Sequence, residues 1–160
     1  MSEKIADFVE LARKLHNVHR QGKELLKGQE LYDFLGIQER HDQDREQERI
    51  LYNAEYKKRV SVVYTMLLDR ATAQGPKLKP RYIGHDQLNP KTLMRKAEFF
   101  VRSEHVRTMS RLDASELKES NAFMEKSTQR RAYADSFNTS AKQRQKTSRA
   151  TRNHSPKMTD

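Results

Sequence analysis

Residues 38–49 read QERHDQDREQER, twelve consecutive positions with no apolar side chain and nothing that breaks a helix. With no apolar face, the stretch is expected to stay out of any core. Pairs such as Asp42 with Arg45 and Glu46 with Arg49 stand three residues apart and support a solvated helix by about a few tenths of a kcal/mol each. Beyond them Ile50, Ala54, Val60, Tyr64, Leu67, Leu68 and Ala71 recur at helical spacing, and Glu55 precedes Arg59 by four. Together these signals predict one helix over about 38–73. At 1.5 Å per residue it is about 50 Å long, and its first third projects into water unless another chain lies beside it. The apolar run around Val62 and Val63 covers more than one face, as where several neighbours enclose a helix, although its β-branched residues also fit a strand. Long helices of this kind often pair, so Val60, Val63, Tyr64 and Leu67 are the expected oligomer interface.

Towards the N-terminus, Ile5, Phe8, Val9, Ala12, Leu15, Val18, Leu25 and Leu26 mark one helical face. Ser2 can cap its start, Gly22 weakens it and Gly28 ends it. Leu31, Tyr32, Phe34 and Leu35, stopped by Gly36, form a compact apolar turn expected to fold back on this first helix. In the other direction Gly75, Pro76, Pro80 and Gly84 break the pattern, with Lys77, Lys79 and Arg81 between them. Asn89-Pro90 then signals a helix start, a side-chain cap followed by a residue with no amide to satisfy. That helix is expected to reach Leu112. Asp113 with Glu116 has capping-box spacing and opens a fourth helix, thin in apolar residues, to Phe137. From Asn138 onward polar and basic residues dominate, and disorder is expected.

The resulting fold class is all-α. A long antiparallel helical hairpin over 1–73 serves oligomerisation or docking, 74–89 is a basic Pro/Gly linker, 90–137 a short basic helical unit and 138–160 a disordered basic tail. A helix-turn-helix made of the third and fourth helices fits poorly, because the turn lacks glycine and the fourth helix is net negative.

Charge supplies the functional reading. The 160 residues carry 32 Lys and Arg against 22 Asp and Glu, a net charge of +10. Residues 1–73 are neutral, whereas the excess sits in 74–112 and in 138–160. This is the pattern of a neutral scaffold presenting two cationic surfaces. Lys91, Arg95 and Arg102 fall within about 40° on a helix and make one basic row, with Lys96 and Arg107 lining the far side of the apolar stripe. Lys77, Lys79, Arg81, these five residues, Arg111, and the tail residues Lys142, Arg144, Lys146 and Arg149 are the expected contacts to the phosphate backbone of DNA or RNA. Tyr82, Phe99 and Phe100 lie beside these cations, where stacking on bases is conceivable, but burial is the expectation for the two phenylalanines.

No cysteine is present, so disulfides and thiolate metal sites are excluded. The six histidines include no HExxH arrangement, and no GxSxG, GxxxxGK[ST] or GxGxxG occurs. No cofactor, metal, catalytic residue or enzymatic activity is therefore expected. No stretch suits a membrane span and no export signal opens the chain, which points to a soluble cytoplasmic or nuclear protein. The leading expectation is a non-enzymatic nucleic-acid-binding accessory protein that oligomerises. The alternative is a helical structural or adaptor subunit of a larger protein assembly, such as a virion, scaffold or secretion component.

Overall fold

A computed structural model describes residues 2–74 and 89–152, with the side chains of 7–73 and 89–148. Three helices account for almost all of them: α1 (Ser2–Leu25), α2 (Gln29–Gln74) and α3 (Pro90–Arg152). At 1.5 Å per residue α2 is about 70 Å long and α3 about 95 Å. The expected linker lies almost wholly outside the described residues.

Two of the expected boundaries are built as the sequence signals them. Gly28 adopts φ +60°, the left-handed conformation that closes a helix at low cost in glycine. At the start of α3 the Asn89 side chain accepts the Lys91 amide at 2.9 Å, with Pro90 between them. Three other expectations are corrected. Gly36 does not stop a helix, because α2 runs continuously from Gln29 through it; an exposed helical glycine costs only about 1 kcal/mol relative to alanine. Asp113 opens no fourth helix. It lies in the middle of α3, 3.5 Å from Arg45 of α2, so the Asp113–Glu116 spacing aims two carboxylates at a neighbour instead of capping an end. Nor does the disorder expected over 138–160 begin at Asn138, since α3 continues to Arg152; residues 153–160 lie outside the described residues. No glycine or proline interrupts residues 91–155, and extending an existing helix adds one hydrogen bond for each residue fixed.

α3 runs antiparallel to α2. Glu30 meets Ser127, His41 meets Glu119, Arg45 meets Glu116, and Val60 packs with Ala97 and Val101. α1 lies beside both at the end where α2 begins. There Val18, Leu26 and Phe34 form a buried cluster, joined by Leu31 from α2 and Leu117, Phe123 and Met124 from α3. The Leu31–Leu35 segment thus folds inward as expected through Phe34 and Leu31, while Tyr32 stays exposed. Gly22 permits the approach of α1 to α2: a Cβ there would stand 2.2 Å from a Phe34 ring carbon. The second cluster, around Val60, Ala97 and Val101, receives Tyr52, Tyr56, Val63, Tyr64 and Leu67 and contains no residue of α1.

Between the two clusters lies the stretch expected to be solvated. Its inward row is His41, Arg45 and Glu48, three or four residues apart, and it packs by polar contacts. Arg45 grips Glu116, whose side chain is fully buried, with Nη1 to Oε2 at 2.6 Å. His19 of α1 stands 2.7 Å from the other Glu116 oxygen. Glu119 receives His41 at 2.8 Å and also Arg40, and Glu48 lies 3.0 Å from His105, which stacks on Tyr52. An apolar residue was unnecessary because α1 and α3 supply complementary polar groups. The local pairs Asp42–Arg45, Glu46–Arg49 and Glu55–Arg59 form as well.

Candidate nucleic-acid interface

α3 carries fifteen Lys and Arg against seven Asp and Glu, whereas α2 carries seven against nine. The packing sorts the charges of α3 further. Asp113, Glu116 and Glu119 turn towards α2 and α1, where Arg45, Arg40, His19 and His41 engage them. The Glu119 carboxyl is held below its ordinary pKa by the hydrogen bond from His41, with Arg40 adding to the effect. The cations stay in contact with solvent. Lys91, Arg95, Lys96, Arg102, Arg107 and Arg111 are all exposed, as are Lys118, Lys126 and Arg130 further on.

Among the described residues, Lys91, Arg95, Lys96, Arg107 and Arg111 have no carboxylate within ion-pairing distance, whereas Arg131 pairs with Glu30 at 3.2 Å. Arg102 stands beside the Tyr56 hydroxyl of α2, which holds its pKa above the ordinary value. The basic row of Lys91, Arg95 and Arg102 therefore lies on one outward face. Lys142, Arg144 and Lys146 lie on the part of α3 that runs past the start of α2, where every side chain from 132 to 148 is exposed. The backbone of Arg149 is helical there, and its side chain lies outside the described residues, as do Lys77, Lys79, Arg81 and Tyr82. The expected interface residues Val60, Val63, Tyr64 and Leu67 pack within the chain, against Ala97 and Val101.

Phe99 and Phe100 depart from expectation. They are 65% and 47% exposed, although Ala97 and Val101 on either side are buried. The inward row is Leu93, Ala97, Val101 and His105, and two residues along a helix is about 200°, so Phe99 lies off that row and stays exposed at the side of the α2–α3 pair. That four-residue spacing is visible in the sequence and could have placed Phe99 outside. Together with Val63, Leu67, Thr92, Arg95 and Lys96 the two rings line an open groove of about 550 Å³.

Among the described residues no cluster of three or more His, Asp or Glu is arranged to hold a metal ion, and no helix is long and apolar enough to cross a membrane. What the surface can do is attract and hold a polyanion along one helix. No family model matches the chain, and no curated protein or solved structure matches it.

Proposed function

We propose that the protein is a non-enzymatic nucleic-acid-binding accessory protein that holds the phosphate backbone along the outward face of α3. One observation carries this reading: α3 turns Asp113, Glu116 and Glu119 inward and leaves Lys91, Arg95, Lys96, Arg102, Arg107 and Arg111 facing out. Surface cations on a helix whose inward acids, buried Glu116 and half-exposed Asp113 and Glu119, are paired with basic groups of α1 and α2 give a positive outer potential without loss of packing. Residues 138–152 extend the same helix with Lys142, Arg144, Lys146, Arg149 and Arg152 and no acidic residue. This segment adds salt-sensitive attraction and faster encounter.

The test is binding to DNA and RNA by the full chain and by Lys91→Glu/Arg95→Glu/Arg102→Glu, with helical content followed by circular dichroism. The reading expects the variant to keep its helices, to lose affinity and to flatten the salt dependence. Each lost phosphate contact removes about 0.7–0.9 from the slope of log K against log salt. Unchanged affinity discards α3 as the contact surface.

A second reading, the adaptor subunit of a protein assembly, is favoured by exposed Ile50, Leu51, Val62 and Met66 on α2. Exposed apolar surface of this kind suits a protein neighbour. Light scattering separates the two: a higher-order mass with no nucleic-acid affinity at about 0.15 M salt supports the adaptor.

A further inference from the structure

The chemistry around Phe99 narrows the class of nucleic acid. At about 100° per residue, Arg95 and Arg102 flank Phe99 on one side of α3 and Lys96 and Arg107 flank it on the other, all within about 80°. An exposed ring thus lies between two rows of cations. Phe100 continues the apolar surface towards Val63 and Leu67 in the groove. Among the described residues neither ring stacks on another aromatic side chain. The pattern recurs beyond the bundle, where Tyr133 and Phe137, 75% and 68% exposed, share a face with Lys126, Arg130 and Arg144.

A duplex offers such a surface only phosphates, since its bases are stacked and its edges recessed in grooves. An unpaired strand offers both phosphates and the faces of its bases, and every base has a π-face that an aromatic ring can cover. Interleaved rings and cations match the second ligand. We infer that the strand held by α3 is single-stranded, with bases stacked on Phe99 and Phe100 and phosphates on Arg95, Lys96 and Arg107. This rests on the proposed nucleic-acid function and specifies its ligand.

The experiment measures anisotropy of a labelled oligothymidylate and of a duplex of equal length, using the full chain, Phe99→Ala/Phe100→Ala and the conservative Phe99→Tyr/Phe100→Tyr. The wild type is expected to prefer the single strand. The alanine variant should lose about 5- to 150-fold for each stacked base, keep its duplex affinity within about twofold, and retain its salt slope; the tyrosine variant should restore binding. Equal losses on both ligands, or no loss on either, overturn the single-strand inference and leave the phosphate-binding reading standing. Absence of binding by the wild type to any nucleic acid overturns both. A change of mass in light scattering with single-strand affinity intact assigns the rings to a protein contact, and that too overturns the inference.

Discussion

The interface between α2 and α3 joins two unlike regions. In its middle, Arg45 with Glu116 and His41 with Glu119 meet across helices, and His19 of α1 reaches the same buried carboxylate. Nearer the far end of α2, Val60 meets Ala97 and Val101 in an apolar cluster to which, among the described residues, only α2 and α3 contribute. The apolar region supplies driving force that scales with buried area and tolerates sliding by a turn. The polar region works differently. Taking charges from water cancels much of their attraction, so its net contribution is modest, but a shift of one turn would part the fully buried Glu116 carboxylate from Arg45 and His19. The difference assigns driving force to one region and register to the other.

The largest effect should come from removing one member of the polar region. Glu116→Ala takes from Arg45 and His19 the carboxylate they share and leaves Arg45 only its longer pairs with Asp42 and Asp113, so it should cost about 3 kcal/mol in denaturant unfolding, the low end for a broken buried pair. Replacing Glu116 and Arg45 together by leucine and methionine should cost much less; if the single and double variants are equally unstable, the two residues are not coupled. In the apolar region Val101→Ala should cost about 1–3 kcal/mol, from lost burial and the cavity left behind. A larger loss there than at Glu116 reverses the assignment of the two regions.

Acid should act on the polar region first. The folded Glu119 pKa is lowered from 4.5, by His41 and then Arg40, so its stabilisation is fully present above pH 4.5 and is lost as pH falls below that value. The stability difference between wild type and Glu119→Gln, measured from pH 6 down, should shrink below pH 4.5. A difference independent of pH contradicts the role given to that carboxylate. The smallest effect is a gain. Gly36 has nothing within 4 Å of an added Cβ and lies in helical backbone, so Gly36→Ala should stabilise by about 0.4–1 kcal/mol, as seen in its melting temperature.

The same contrast explains what the sequence discloses. Apolar periodicity and helix ends are local, so the helical class, the Gly28 turn and the Asn89-Pro90 start are all legible. Polar packing is not local. Arg45 and Glu116 are 71 residues apart, and nothing within QERHDQDREQER indicates that its inward row has partners. Asp113 and Glu116 resemble a cap for the same reason, since a cap and a pair of inward carboxylates use the same spacing. On the candidate surface, the basic row was readable from helical spacing alone. The exposure of Phe99 and Phe100 was obscured by treating large apolar residues as core, although small Ala97 occupies the inward position.

The most direct test of the proposed function is the salt dependence of nucleic-acid affinity for the full chain and for Lys91→Glu/Arg95→Glu/Arg102→Glu. The wild type should bind at about 0.15 M salt with a steep negative slope, and the variant should lose affinity with a slope shallower by about 2–3. Equal affinities and equal slopes for the two proteins would contradict the assignment of α3 as the surface that holds the strand.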